Sequence, residues 1–256
     1  MNMAGIVSGE LDVLDGSPPC QGFSTAGKRK FDDPRNSLFN EYARLLDELQ
    51  PRVFVMENVT GMVKGVMKQA YLTIIQTLRD CGYNCKGEVL NAMYYNVPQS
   101  RERVIIIGVR NDLEIEPSHP KPQTRPKTFQ DAMANCVPSN ETPPKVTPLR
   151  KNRWTETMRG KVHHDRFSLL RLDWHKPVPT ILKVSGSGGH FHPDEPRLLT
   201  ISELQACASF PSKFQFGSRW DSAVERIGNS VPPNLMKAIG EHIKTNILVP
   251  SKVGID

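Results

Sequence analysis

Apolar residues between Asn36 and Leu49 recur every three or four positions, a period that predicts an amphipathic helix. Pro51 would end this helix. One of its faces would carry six apolar side chains: Leu38, Phe39, Tyr42, Leu45, Leu46 and Leu49. The same period predicts a second helix from Met67 to Cys81, followed by Gly82 as its C-terminal glycine.

Short apolar runs alternate with these helices, which predicts strands. Because strand and helix alternate, we expect an α/β fold with a doubly wound, Rossmann-like sheet. In such sheets reactive groups lie at the carboxyl ends of the strands, where Cys20 and Glu57 fall. The runs are Leu11–Leu14, a buried parallel strand at Arg52–Met56, a weaker one near Glu88–Leu90, and Val104–Val109.

The pattern changes between Asn111 and Leu149, where eight prolines interrupt any long regular element. We interpret this stretch as a linker into a smaller, irregular lobe, with Ser185–Gly189 as a flexible return. Thr200–Glu203 reads as a capping box that opens a helix. The last helix is expected to have Pro233 in its first turn and to reach about Ile247.

Composition places the chain among ordinary globular proteins, with 256 residues, 38% hydrophobic and 23% charged. It has no signal-like N-terminal stretch and no apolar run of membrane-spanning length. Five cysteines, an odd number, are typical of reduced thiols in the cytoplasm, the location we predict. Cys81 and Cys85 lack a second ligand pair, so we expect no metal site. Because no apolar run is long enough to span a bilayer, we also expect no membrane association.

The net charge of +6 is concentrated in one segment. Residues 121–183 hold 13 Lys and Arg against 5 Asp and Glu, whereas the rest of the chain holds 20 and 22. Aromatic residues, among them Trp154 and Trp174, are interleaved with this positive charge. A nucleic-acid partner would favour that combination, and a solvated basic surface is the alternative.

The stretch from Asp15 to Ser24 carries the first candidate chemistry. A strand that stops at a glycine and two prolines, Pro18 and Pro19, would deliver Cys20 into a rigid loop. Such an arrangement can present a reactive thiol. Taken alone, a cysteine buried in a turn is the more common case, because packing is the usual fate of a thiol.

Five segments occur in the order of, and resemble, the motifs of the C5-cytosine DNA methyltransferase family, between about residues 11 and 245. Ser209 stands where a glycine is common in that family. The segments are Pro18-Pro19-Cys20-Gln21 with Phe23-Ser24, Glu57-Asn58-Val59, Gln99-Ser100-Arg101-Glu102-Arg103, Arg197-Leu198-Leu199-Thr200 with Glu203 and Phe210-Pro211, and Gly228-Asn229-Ser230-Val231.

The resemblance implies a DNA (cytosine-5-)-methyltransferase of the kind found in restriction-modification, with S-adenosyl-L-methionine as cofactor and double-stranded DNA as partner. The thiolate of Cys20 would add to C6 of a cytosine flipped out of the duplex, and Glu57 would face the Watson–Crick edge of that base. Methyl transfer to C5 and elimination of Cys20 would then follow.

The same resemblance assigns the remaining site residues. Arg101 and Arg103 would hold the active-site loop and the base, although two surface arginines are the alternative when this pair is taken alone. Lys28, Arg29 and Lys30 would meet phosphates or form a solvated cluster. Substrate contacts are predicted for Gln21, Ser24, Asn58 and Gln99, and cofactor contacts for Pro19, Leu38, Asn229, Ser230 and Val231.

Residues 1–111 would be the C-terminal part of the catalytic α/β domain, residues 112–196 the target-recognition region, and residues 197–256 a helical return. The family's Phe-x-Gly-x-Gly cofactor loop does not occur, so the resemblance implies an N-terminally truncated enzyme with a partial sheet. A separate N-terminal cofactor-binding half would then be a partner. Three alternatives stay open: a catalytically inactive DNA-binding fragment, one subunit of a split methyltransferase, and an RNA-directed member of the family.

Overall fold

A computed structural model describes residues 6–19, 37–138, 143–164, 166–183, 189–217 and 219–253. The chain divides into two compact units. Unit 1 comprises residues 1–90, 102–121 and 239–256, and unit 2 comprises residues 91–101 and 122–238.

The described residues form nine strands and eight α-helices. The strands are β1 (Val13–Gly16), β2 (Val53–Val59), β3 (Tyr83–Asn91), β4 (Gln99–Ser100), β5 (Glu102–Arg110), β6 (Lys161–His163), β7 (Arg166–Arg171), β8 (Val178–Pro179) and β9 (Gly189–Phe191). The helices are α1 (Ser37–Leu49), α2 (Lys68–Asp80), α3 (Phe129–Ala134), α4 (Pro148–Glu156), α5 (Ile201–Cys207), α6 (Trp220–Asn229), α7 (Pro233–Ile243) and α8 (Pro250–Val253).

Unit 1 contains a four-stranded sheet in the order β1-β2-β5-β3. Strands β1 and β2 are parallel, as expected, because α1 crosses from one to the next. Strand β5 runs antiparallel to β2, which departs from a wholly parallel doubly wound sheet. The α/β prediction is confirmed, and β3 is longer than the short run near Glu88 indicated.

The apolar face of α1 packs on this sheet, as its period predicts. Phe39, Tyr42 and Leu46 are buried in the unit 1 core with Phe54 of β2. A Cβ on Gly16 would lie 2.5 Å from the Tyr42 ring, so the glycine allows helix and strand to approach closely. The hydroxyl of Tyr42 donates a 3.0 Å hydrogen bond to the carbonyl of Val55 in β2.

One arginine of unit 1 bonds to residues that are far apart in the sequence. The guanidinium of Arg52, at the start of β2, forms a 3.0 Å ion pair with Asp12. The same group donates a hydrogen bond to the hydroxyl of Ser251 in α8. The N-terminal and C-terminal parts of unit 1 are therefore joined through one side chain.

Unit 2 contains a two-stranded parallel sheet, β4-β8, and a three-stranded sheet, β6-β7-β9. The predicted capping box at Thr200 and Glu203 is confirmed at the start of α5. A second capping box, Thr128 with Asp131, opens α3 inside the proline-rich stretch. Helices α3 and α5 share an apolar core with α6.

The last predicted helix is confirmed as α7, and a π-helical turn continues it over residues 244–248. Before it, Ser209 adopts a left-handed backbone with φ of 61°, where the family commonly has glycine. Its hydroxyl accepts a 3.2 Å hydrogen bond from the amide of Asn234 in α7. None of the helices described is both long and apolar enough to span a bilayer.

Candidate active site

Glu57 lies in the second half of β2, which continues to Val59 rather than ending before the glutamate. In the antiparallel register Glu57 faces Ile105 and Val59 faces Arg103. Glu57 and Arg103 are therefore diagonal neighbours on one face of the sheet. Their side chains form an ion pair with Nε 2.7 Å from Oε1, and only 10% of the Glu57 side chain and 12% of the Arg103 side chain are exposed.

The surroundings of this pair determine its electrostatics. Burial lowers the pKa of Arg103, and the neighbouring Glu57 carboxylate opposes that shift through its charge and its hydrogen bond. Arg103 also donates a 2.7 Å hydrogen bond from Nη1 to the carbonyl of Glu102. The guanidinium is thus held from two sides and presents a fixed cation to the carboxylate.

Asn58, the next residue of β2, connects the strand to the cysteine loop. Its amide nitrogen donates a 3.0 Å hydrogen bond to the carbonyl of Pro18. Its amide oxygen accepts a 2.9 Å hydrogen bond from the main-chain N–H of Val59. Pro18 is buried and Pro19 is exposed.

Several predicted residues lie outside the part of the chain that is described. These are the predicted nucleophile, two predicted substrate contacts and the basic cluster: Cys20, Gln21, Ser24, Lys28, Arg29 and Lys30. The roles of these six residues stay predictions.

The first half of the Gln-x-Arg-x-Arg segment belongs to unit 2. Gln99 and Arg101 are each 1% exposed. The amide oxygen of Gln99 accepts a 3.2 Å hydrogen bond from the N–H of Ile181. Arg101 donates to two main-chain carbonyls, from Nη1 to Ile181 at 3.1 Å and from Nη2 to Gly228 at 2.7 Å.

Arg101 and Arg103 therefore have different partners in the structure. Arg101 lies between β4 and β5, outside both strands. Arg103 pairs with a carboxylate, whereas Arg101 bonds to neutral carbonyls. Of the four predicted catalytic residues, the structure brings Glu57 and Arg103 together.

Close packing around Gly228 explains why the Gly-Asn-Ser-Val segment begins with glycine. A Cβ at this position would lie 2.4 Å from the nitrogen of Lys183 and 2.5 Å from the carbonyl carbon of Leu182. The end of α6 can pack on that backbone only without a side chain. The sequence indicated the motif but gave no signal that residues 181–183 would be its packing partner.

The residues predicted to bind the cofactor are accessible to a ligand. Leu38 is 57% exposed in the first turn of α1, which is unusual for an apolar residue beside a core. Asn229 is exposed, and Ser230 and Val231 are half-buried. The Ser230 hydroxyl donates a 2.8 Å hydrogen bond to the carbonyl of Ile227. In unit 1 the exposed Leu38 side chain, and in unit 2 the exposed Asn229 amide, have the chemistry that apolar and polar parts of S-adenosylmethionine would contact; their cofactor role stays a prediction.

No group of three His, Cys, Asp or Glu side chains among the described residues is arranged to hold a metal ion.

The family model of C-5 cytosine-specific DNA methylases matches residues 4–166 and 139–245. The chain belongs to this family and is a methyltransferase. Type II methyltransferase M.XorII of Xanthomonas oryzae pv. oryzae is 31% identical over 298 residues, covering 94% of this chain and 70% of the relative. Type II methyltransferase M1.HphI of Haemophilus parahaemolyticus is 34% identical over 258 residues, covering 91% of this chain and 68% of the relative.

Solved structures support the same fold. A prophage-encoded protein of E. coli superimposes with a TM-score of 0.76 at 23% identity, over 93% of this chain and 79% of its own. DNMT2 of Spodoptera frugiperda superimposes with a TM-score of 0.65 at 20% identity, over 91% and 78%. The predicted Rossmann-like methyltransferase fold is confirmed.

Proposed function

We propose that the chain transfers a methyl group from S-adenosylmethionine to C5 of a cytosine flipped out of double-stranded DNA, through a covalent adduct of Cys20. The observation that carries this proposal is the buried Glu57–Arg103 ion pair, with 2.7 Å between Oε1 and Nε, beside the strand that leads to the cysteine loop. This pair supports the proposal because the family's chemistry needs a carboxyl group held in one orientation.

C5 of cytosine is too weak a nucleophile to attack the methyl group unaided, so a protein nucleophile must first activate the ring. We propose Cys20 for that role. Addition of the thiolate to C6 moves electron density to C5, which can then take the methyl group. Burial raises the pKa of the four cysteines within the described residues and so disfavours their thiolates. They are Cys81, Cys85 with a pKa of about 12, Cys136 and Cys207.

Glu57 is proposed to bind the N3 edge of the cytosine. Thiolate addition to C6 places negative charge on the ring, and a proton passed to N3 through the Glu57 carboxyl group neutralises it. A carboxylate at that edge accepts the hydrogen bond from the protonated N3, and Arg103 keeps the carboxylate in a single orientation. Once C5 has taken the methyl group, the C5 proton is lost to water and the Cys20 thiolate leaves. N3 then returns its proton to Glu57, and the aromatic ring is restored.

The methyl donor would be held by Pro19, Leu38, Asn229, Ser230 and Val231. When bound, S-adenosylmethionine supplies an electrophilic methyl group. Leu38 would cover an apolar part of the cofactor, and Asn229 would offer an exposed amide for hydrogen bonding.

Residues 112–196 are proposed to recognise the DNA target, between the catalytic part in residues 1–111 and the helical return in residues 197–256. The excess of positive charge in residues 121–183 supports contact with phosphates. Helix α4 contributes Arg150, Lys151 and Arg153 to that charge, with Lys151 exposed.

A methylation assay with duplex DNA and labelled S-adenosylmethionine tests the proposal. We expect label in cytosine with the wild-type chain, and a loss of at least roughly 10³-fold in Cys20→Ser. Cys136→Ser removes a half-buried thiol of unit 2 and is the matched control, expected to retain wild-type activity. Full activity in Cys20→Ser would contradict the covalent mechanism.

Other outcomes distinguish the alternatives. Salt-dependent DNA binding without methylation or cofactor binding would favour a DNA-binding chain. Methylation that requires an added polypeptide with the Phe-x-Gly-x-Gly loop would favour a split enzyme. Competition by tRNA, but not by duplex DNA, would favour RNA as the substrate.

A further inference from the structure

We propose that Asn58 is a positioning residue for the methyl transfer. Its side chain fixes the main chain at Pro18, two residues before Cys20, against the strand that carries Glu57. This inference rests on the proposed function, since it concerns the same nucleophile and carboxylate.

The local backbone explains why a side chain is needed at this point. The parallel register of β1 and β2 ends at the pair Gly16 and Met56. Pro18 and Pro19 have no N–H, so they cannot donate the next hydrogen bonds to β2. Pro18 and Asn58 each lie two residues beyond that last pair. The Asn58 amide therefore joins the segment after β1 to β2 at the point where main-chain pairing of the two strands stops.

Two hydrogen bonds are enough to determine the orientation of the Asn58 amide. Its oxygen accepts from the N–H of Val59 at 2.9 Å, a donor that only the oxygen can satisfy. Its nitrogen consequently points at the carbonyl of Pro18, at 3.0 Å. Reversing the amide would place oxygen against oxygen and N–H against N–H.

This geometry links the two proposed reacting groups. Glu57 and Asn58 are adjacent in β2, and Arg103 holds the Glu57 carboxylate from the other side. The Asn58 bond then fixes the chain that leads to Cys20 relative to the same strand. Displacing a catalytic group by about 1 Å can reduce a rate by roughly 100-fold, so such a bond affects the chemical step more than substrate binding.

Asn58→Asp is the sharpest test, because it keeps the shape and the acceptor for Val59 but turns the donor into an oxygen facing the Pro18 carbonyl. Asn84→Asp is the matched control, a half-buried asparagine of unit 1 whose amide donates to Glu116 at 2.9 Å. We expect the single-turnover methylation rate of Asn58→Asp to fall by about 10- to 100-fold. We expect KM for DNA to stay within roughly threefold of wild type.

A purely structural role would give a different result. If Asn58→Asp lowers the melting temperature but, below it, methylates at the wild-type rate, the proposal is overturned. A raised KM with an unchanged kcat overturns it as well, because that would indicate a contact to DNA. Asn84→Asp should leave kcat and KM unchanged.

A second measurement separates this proposal from the proposed function. The alkylation rate of Cys20 by iodoacetamide, read by peptide mass spectrometry, needs no activity. It should change by at least about threefold in Asn58→Asp and not in Asn84→Asp. An unchanged rate in Asn58→Asp overturns the positioning role. A wild-type chain that never methylates DNA overturns the proposed function, while the alkylation rates still decide the role of Asn58.

Discussion

Two arginines of one short segment are used in opposite ways by the two units. In unit 1, Arg103 pairs with a carboxylate on the face of a sheet. In unit 2, Arg101 is almost fully buried and donates to the carbonyls of Ile181 and Gly228. The first arrangement places a buried cation beside a carboxylate of opposite charge. The second bonds both Nη atoms of a buried guanidinium to main-chain carbonyls, while its Nε has no hydrogen-bond partner among the described residues.

The largest expected effect comes from removing the charge in unit 1. Glu57→Gln keeps the shape and an acceptor for Arg103 but loses the carboxylate, so we expect methylation to fall by roughly 10²–10⁴-fold. Single-turnover assays would measure this loss. Glu88→Gln, at an exposed ion pair with Lys86 in the same unit, is the control and should retain activity. If Glu57→Gln methylates at the wild-type rate, the carboxylate beside Arg103 has no role in the reaction, and the functional difference between Arg103 and Arg101 is contradicted.

The next effect concerns stability in unit 2. Arg101→Met leaves two buried carbonyls without their donor, which should lower the free energy of unfolding by about 2–5 kcal/mol in urea titration. Arg101→Lys should recover part of that loss, since an ammonium can reach one carbonyl. If Arg101→Lys were stable but inactive, Arg101 would have a catalytic role as well.

A smaller loss in the free energy of unfolding is expected at Gly228, whose carbonyl accepts a hydrogen bond from Arg101. Gly228→Ala forces a Cβ against the backbone of Leu182 and Lys183, so we expect a cost of about 1–3 kcal/mol. Gly240→Ala is the matched control, because nothing lies within 4 Å of its Cβ position in α7. That change should stabilise the helix by about 0.5–1 kcal/mol. Equal effects in the two variants, measured by urea titration, would contradict the close packing at Gly228.

The smallest expected effect is a pH dependence of stability caused by His192, a buried histidine of unit 2. Nδ1 of His192 accepts from the N–H groups of Asp194 and Glu195, at 3.3 and 3.2 Å, which requires an unprotonated nitrogen. Burial lowers the pKa of His192, and the positive charge of Arg197 lowers it further.

The unfolded chain therefore binds a proton below about pH 6.5 that the folded chain does not, and stability falls as the pH decreases. We expect His192→Asn to flatten this dependence by at most about 1.4 kcal/mol per pH unit. Urea titrations between about pH 7 and 5 would measure it. Identical slopes for the two proteins would contradict a neutral His192.

The elements with strong periodicity could be predicted from sequence. The buried run of β5 and the capping box at Thr200 reflect local rules, and each lies close to where it was expected. In α1 four of the six predicted apolar positions are buried and Leu45 is half-buried, whereas Leu38 is exposed. The short elements of unit 2 could not be predicted. Helix α4 is strongly basic, and β8 has two residues, so packing from distant segments determines them rather than their own pattern.

The sequence motifs give candidate site residues but do not indicate their partners. The motifs indicated Glu57, Arg101 and Arg103, but nothing in them distinguishes an arginine that pairs with a carboxylate from one that bonds to carbonyls. That difference depends on residues 181 and 228, which lie about 80 and 127 positions away from Arg101 in the chain. Long-range contacts of this kind leave no local signal.

The hydrogen bond from Arg52 to Ser251 also has a consequence for how the protein is made. Its two ends are 199 residues apart, so a ribosome that adds about 5–20 residues per second needs roughly 10–40 s to supply the second after the first. During that interval unit 2 is translated, and the hydrogen bond between β2 and α8 cannot form. Unit 1 therefore completes its contacts only after unit 2 has been translated, although the four strands of its sheet are made before most of unit 2.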